Sequence, residues 1–331
     1  SKLEWCMNES HTFRIDENIY DDQLVKDSIN YFYQNRSGID IESKYITSGN
    51  ASTLAHKAGH TTDTAYVQSK WIKFYEGDFS DGDKDYTIDG PGGWYDAGDH
   101  GKYVVNGGIS VWTLQNTYEL SKKKLGTDAK WTGDLVSIPE TGDKNPDILD
   151  EARWELEWML KMIVKSDDPY YGKDFENFAY HKLHDHKWTG LATKAWDYKT
   201  EWGTERLVKP PTYAATLNVA VCAVQAARLW EGIDDAFAKE CLDQAKKCYE
   251  AVKNSGNGYK VDEGEFEKAD DTKGTNATKG DARFAPMDQA IGGGPYGDSY
   301  VLDDFYWAGC ELYATTGDEE YYNDIKEYKN N

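Results

Sequence analysis

The apolar positions of this chain recur mostly at helical spacing, and neighbouring segments differ in how much of the helix surface they cover. From about 212 to 231, Ala214, Ala215, Leu217, Val219, Ala220, Val221, Ala223, Val224, Ala226, Ala227 and Leu229 leave hardly any polar face, so a helix here must be buried on nearly all sides. The next segment, about 234–253, carries Phe237, Cys241, Ala245, Cys248 and Val252 as one stripe opposite a charged face. That pattern predicts a helix lying outside the first. Inner and outer helices in alternation are what a double-layered α/α barrel requires.

Other segments repeat the helical period. One starts at Asp21 with Val25, Ile29, Phe32 and Tyr33 in register; another runs from after Tyr103 to about Lys124. A third follows Asn145-Pro146, where Asn can cap and Pro can occupy the first turn, with Ile148, Ala152, Met159 and Ile163 as its buried stripe. A fourth begins near Ser299 with Leu302, Phe305, Tyr306, Gly309 and Leu312, and a last short helical run comes after it. Between Gly38 and Gly93 the chain is polar, glycine-bearing and without a persistent period. A connection of that length in a compact domain points to a loop that builds a cleft. The Asp-, Lys- and Gly-rich stretch from Lys253 to Gly292 reads as a rim loop.

Composition narrows the partners. The chain has 331 residues and a formal charge of -22, which argues against nucleic acid and for a neutral ligand. Aromatic residues make up 14% of it, more than a core of this size needs, and that surplus suits stacking on sugar rings, although most of these rings must fill the core. The five cysteines, Cys6, Cys222, Cys241, Cys248 and Cys310, form no close pair, and four fall on apolar helical positions, so buried free thiols are expected. No apolar run is long enough to span a membrane. No signal-peptide pattern opens the chain, as for a mature or trimmed form or for a protein never exported.

The candidate chemistry is concentrated in Gly92-Gly93-Trp94-Tyr95-Asp96-Ala97-Gly98-Asp99-His100-Gly101-Lys102-Tyr103. Gly93, Gly98 and Gly101 permit a turn that brings Asp96 and Asp99 to one side, where both can hydrogen-bond one water, while Trp94 and Tyr95 offer flat rings. A bare Asp-x-Gly-Asp is also a common surface turn. The longer string, continued by Val104-Val105-Asn106-Gly107-Gly108, resembles the signature of glycoside hydrolase family 9, the inverting cellulases. The resemblance runs from about Phe13 to the last residues and includes Ile138-Pro139-Glu140, Pro146-Asp147-Ile148-Leu149-Asp150-Glu151, His181-Lys182, His186-Lys187-Trp188-Thr189-Gly190, Ala214-Ala215-Thr216-Leu217-Asn218, Gly293-Gly294-Pro295-Tyr296-Gly297-Asp298 and Asp303-Asp304-Phe305-Tyr306-Trp307.

The resemblance implies an all-α fold, an incomplete (α/α)6 barrel over residues 19–331, with residues 1–18 as the remnant of an immunoglobulin-like module and its linker. It implies hydrolysis of β-1,4-glucosidic bonds in cellulose or a related β-glucan, outside the cell, with Asp99 as general base and Asp96 orienting the water. An inverting site also needs a carboxylic acid roughly 6.5–9.5 Å across the sugar from the base. Asp96 and Asp99, three apart in one turn, both belong to the water-activating half. In the resembled enzymes the acid is a glutamate in a segment with no counterpart in these residues, so either they are a fragment of a longer polypeptide or the missing part of the barrel is supplied separately as a partner. His186, Trp188, Tyr296 and, more weakly, His181 match positions that line the sugar cleft. Asp303 and Asp304, with Asp298 nearby, match a structural calcium site. Asp81-Gly82-Asp83-Lys84-Asp85 lacks the distal glutamate of a calcium loop and reads as solvated. Some relatives hold zinc in the early loop through two Cys and two His; only His56 and His60 stand there in this chain, so no zinc is expected. Two alternatives stay open: an enzyme attacking cello-oligosaccharides from the end, and a non-catalytic carbohydrate-binding protein or inactive fragment.

Overall fold

A computed structural model describes residues 15–17, 19–69, 71, 85–126, 131, 133–186, 188, 190, 193–197, 205–256, 258–260, 283–284, 292–298 and 300–328. Most of the expected module remnant, Cys6 included, Asp81 to Lys84 and most of the rim loop lie outside these residues. In chain order the elements are α1 (Asp22–Gln34), α2 (Ala51–Leu54), β1 (Thr64–Val67), β2 (Thr87–Asp89), β3 (Lys102–Tyr103), α3 (Val104–Leu125), α4 (Asp147–Lys161), β4 (Ala179–Tyr180), β5 (Lys182–Asp185), β6 (Arg206–Val208), β7 (Pro211–Thr212), α5 (Tyr213–Trp230), α6 (Asp235–Asn254), α7 (Leu302–Thr316) and α8 (Glu319–Ile325).

The two-layer expectation holds in the packing. In α5 every residue but Arg228 is buried, whereas α6 buries only the face of Phe237, Ala238, Cys241, Ala245, Cys248, Tyr249 and Val252. Helices α3, α5 and α7 pack side by side as the inner row, and α4, α6 and α8 back them in that order. Cys222, Cys241 and Cys248 are buried free thiols, whereas Cys310, also free, is only half-buried because it lies off the packed face of α7. Among the described residues no helix is long and apolar enough to cross a membrane.

Local starts and stops follow side-chain chemistry. Asp21 caps α1 by accepting from the Leu24 amide, Thr212 caps α5 through Ala215, and Asp234 caps α6 through Phe237. Helix α3 ends at Gly126 in the left-handed conformation (φ +65°), and α7 ends at Gly317 in the same way (φ +68°). The start of α4 differs from the reading of its sequence. Pro146 itself is the cap residue, and Asn145 instead directs its amide at Asp143 and Asp150. Ile163 lies past the helix, whose last residue is Lys161.

The long early stretch contains strands that its sequence did not announce. Strand β1 pairs antiparallel with β2 and parallel with β6, and the sheet order β2-β1-β6-β5-β3 gathers strands from both sides of α3 and α4. Strands of two to four residues whose partners lie far along the chain leave no period to read. This small sheet sits beside the ends of the inner helices. It carries the glycine-rich loop between β2 and β3.

Candidate active site

The loop between Gly90 and Tyr103 is held from three directions. At its entry Gly92 and Gly93 have φ of +90° and +76°, and a Cβ on Gly93 would come within 2.8 Å of Trp158, so glycine is required there twice over. At its exit Lys102, fully buried, donates from Nζ to the carbonyls of Gly90 and Gly92 and pairs with Asp63 at 2.6 Å, clasping both ends together. Across the top, the Asp96 amide donates to Gly101 O at 3.0 Å.

A buried charge chain sustains that clasp. Arg206 donates to both Asp63 oxygens, to Asp185 Oδ1 at 2.8 Å and to His100 O at 2.8 Å. Burial alone pushes the Asp63 carboxyl up, but Arg206 and Lys102 outweigh it and hold it well below the usual carboxylate range. Burial also lowers the Lys102 ammonium to about 8 against the pull of Asp63. None of these four residues was singled out in the sequence, because their partners lie up to 143 positions apart.

Within this frame the two aspartates differ. Asp99 is 9% exposed, and its Oδ2 accepts from the Gly101 amide at 3.1 Å and from the Tyr103 hydroxyl at 2.5 Å. Its Oδ1 accepts no hydrogen bond from the described residues. Asp96 has both oxygens engaged: Oδ1 accepts from Asn106 at 2.9 Å and Oδ2 from the Tyr296 hydroxyl at 2.6 Å. Tyr103 and Tyr296 meet edge to face at 4.7 Å, and Tyr103 Oη accepts from the Gly294 amide at 2.8 Å. Burial, then the adjoining aspartates, push both phenols up, Tyr296 to about 12, so both remain donors at neutral pH. Tyr103 escaped sequence reading because it closes a strand one residue before α3. Its place four and five residues before Gly107 and Gly108, which lie against Glu155 and Asn218, was the available hint.

The remaining sequence candidates fall in different settings. His186 is 6% exposed, with Nδ1 at 3.5 Å from Glu205 Oε2, and Trp188 beside it is 50% exposed. Trp94 offers no open ring: it is 6% exposed, its indole N–H donates to Glu151 at 2.8 Å, and Phe32 packs on it at 4.7 Å. It does reach the lining of a cavity of about 370 Å³ that Asp96, Tyr103, Asn106, Tyr31 and Glu155 also line. His181 is 1% exposed and spends both ring nitrogens, on Thr212 Oγ1 and on Pro295 O, each at 3.0 Å. Burial drives its pKa to about 3, so the ring stays neutral, and Nε2, facing a carbonyl, carries the proton. Its position braces the Pro295-Tyr296 loop. Glu140 and Glu151, both in blocks that resemble the family, pair with the buried Arg36 guanidinium at 2.9 and 3.1 Å.

Three acidic groupings bear on metals. Asp304 is pushed well above the carboxylate range by burial and then by Asp298 and Asp303, with Asn218 Nδ2 at 3.4 Å from its Oδ1. Asp298 also accepts from the Tyr300 amide at 2.9 Å. Asp143, Asp147 and Asp150 bring one oxygen each within 4.8 Å of one another; Asp147 Oδ1 and Asp150 Oδ2 are buried without a hydrogen-bond partner, so this group could hold a divalent cation. His60, His100 and Asp185 also converge, but Arg206 already sits on Asp185, and burial followed by Arg206 lowers the pKa of His60. His56 stands apart from them, stacked on Trp196.

Glu155 lies under the loop, fully buried, and accepts the Trp94 amide at 2.6 Å. Burial raises its pKa to about 8, so the native state favours the protonated form. Stability from this group is complete below the unfolded glutamate pKa and is lost as pH rises through about 8. Across that window wild-type unfolding free energy is expected to fall, by up to about 1.4 kcal/mol per pH unit from this one group, and Glu155→Gln to flatten the fall. Urea midpoints at intervals from pH 4.5 to 8.5 measure it; parallel curves for the two proteins exclude Glu155 as the source.

Comparison with known proteins points to one family. Residues 20–331 match the description glycosyl hydrolase family 9. The chain is 39% identical over 324 residues to a cellulose 1,4-beta-cellobiosidase of Acetivibrio thermocellus, covering 96% of this chain and 32% of that protein. It is 39% identical over 322 residues to endoglucanase C of Cellulomonas fimi, covering 94% and 25%. In structure it resembles a GH9 protein of Bacteroides ovatus, with a TM-score of 0.68 at 28% identity over 92% of this chain and 47% of that one. A metagenome-derived family 9 endoglucanase gives a TM-score of 0.65 at 26% identity, over 92% and 45%. The chain thus spans a third or less of those two sequence relatives and just under half of those two structures.

Proposed function

The chain belongs to glycosyl hydrolase family 9, and on that premise we propose that its protein hydrolyses β-1,4-glucosidic bonds of cellulose or a related β-glucan with inversion at the anomeric carbon. One observation carries the assignment of roles: among the described residues none hydrogen-bonds one oxygen of Asp99, whereas both oxygens of Asp96 are engaged. A general base needs a lone pair aimed at its water. Asp99 Oδ1 takes the proton as the water oxygen bonds to the anomeric carbon, and Asp96, held by Asn106 and Tyr296, orients the same water. As the bond to the leaving oxygen breaks, that oxygen needs a proton from a carboxylic acid on the opposite face of the sugar. Glu155 and Glu151 are engaged by Trp94 and Glu140 by Arg36, and none of the described residues of this site fills that role.

His186 and the exposed ring of Trp188 receive the glucan, by hydrogen bonding and by stacking. A polymeric glucan cannot enter a cell, so the protein acts outside it. Asp298, Asp303 and Asp304 suit a structural calcium ion, because a cation relieves the mutual repulsion and burial that raise Asp304. The proton NMR spectrum of a fresh digest of a soluble β-1,4-glucan by the full-length protein tests the mechanism. The α-anomer is expected to appear first; initial β-anomer overturns inversion, and no release of sugar overturns hydrolysis.

A further inference from the structure

Eight residues past Trp188 the chain carries a second exposed indole. Trp196 is 39% exposed and lies flat on the His56 imidazole, with ring centroids 4.3 Å apart and planes within 8°. His56 is itself fixed, its amide and carbonyl both paired with Ile41 at 3.0 and 2.9 Å. The Trp196 segment is tied to the catalytic loop. His100, next to Asp99, has Nε2 at 3.2 Å from Thr193 O. Gly59 abuts Ala195 so closely that a Cβ there would lie 2.5 Å from the Ala195 carbonyl, and the next residue, His60, contacts the Tyr95 hydroxyl at 2.6 Å. Trp196 is therefore held in register with the carboxylates through backbone contacts at 59 and 193.

We propose that Trp196, backed by His56, is a stacking platform for a pyranose ring of a bound β-linked glucan, extending the site beyond Trp188. This rests on the reading of the protein as a β-glucan hydrolase. The chemistry favours a neutral sugar. A β-linked glucose unit presents axial C–H groups on each face, which pack on an indole, and the flexible Lys194, whose Nζ lies over the Trp196 ring 5.6 Å from its centre, swings aside to the hydroxyls at the sugar's edge. A net charge of -22 disfavours an anionic ligand at the same surface. Because His56 and the paired backbone hold the indole in place beforehand, little rotamer freedom is lost when a sugar lands on it.

Isothermal titration of the full chain with cellobiose and cellohexaose tests the platform. Trp196→Ala is expected to weaken cellohexaose roughly tenfold, the scale of one aromatic contact, and cellobiose less than twofold. Trp196→Phe restores most of the affinity, and His56→Ala produces a smaller loss in the same direction. Cellohexaose affinity within twofold of wild type in Trp196→Ala, with Trp188→Ala still weakening it, overturns the platform alone. Absence of cello-oligosaccharide binding in the wild type overturns the hydrolase reading and the platform with it. Thermal melting of each variant alongside wild type separates lost contact from lost fold.

Discussion

Asp99→Asn lowers kcat on a soluble β-1,4-glucan by roughly 10²–10⁴-fold, the usual contribution of a general base, while KM changes little. The reason lies in what the amide keeps and what it loses. Asn Oδ1 can still accept from the Gly101 amide and the Tyr103 hydroxyl, so the loop has no cause to move. The amide cannot take a proton from water. Asp96→Asn is expected to be damaging too, but its losses divide, because the Tyr296 or Asn106 contact must rearrange when an acceptor becomes a donor. Steady-state rates for both variants, with melting curves as controls, decide between the aspartates. A variant at position 99 that retains a tenth or more of wild-type kcat moves the base elsewhere.

Arg206→Met is expected to destabilise the folded protein by about 3–5 kcal/mol, as when one partner of a buried ion pair is removed. Arg206 is 5% exposed and neutralises two carboxylates, Asp63 at 3% and Asp185 at 1%. Without it the strongest countercharge of both carboxylates is gone, with His100 at 3.5 Å from Asp185 and Lys102 at 2.6 Å from Asp63. Methionine roughly matches the aliphatic stem, so packing is largely spared and the loss measures uncompensated charge. Urea unfolding of the two proteins at neutral pH checks it; a change below about 1 kcal/mol places the network among surface-like pairs. The same substitution frees the carbonyl of His100, beside Asp99, so kcat falls further than stability alone explains.

Much of the architecture was open to reading in advance. Segment α5 has so few polar positions that only an inner location satisfies it, and the single stripe of α6 leaves only an outer one. Helix periodicity is local, because residues three and four apart share a face whatever lies beyond. The strands were not legible, since β1 pairs with β2 some two dozen residues later and with β6 about 140 residues later, and each is only three or four residues long. Gly107 and Gly108 lie inside α3, where glycine has no local use. They are places where Glu155 and Asn218 approach so closely that a Cβ would lie 2.1 and 2.7 Å from them.

The site divides in the same way. By itself the sequence determined that Asp96 and Asp99 share one glycine-rich turn and, through its resemblance, which family to expect. Those facts depend on neighbours within a dozen residues and on residue identity. Only the tertiary structure decided that Trp94 is a buried strut, that His181 braces a loop, and that Tyr103 and Tyr296 each hold one aspartate. It alone leaves Asp99 with an uncommitted oxygen. Hydrogen-bond partners such as Tyr296 and Asp96, 200 positions apart, meet only after the helical layers have packed, and no local pattern in the chain encodes their distance.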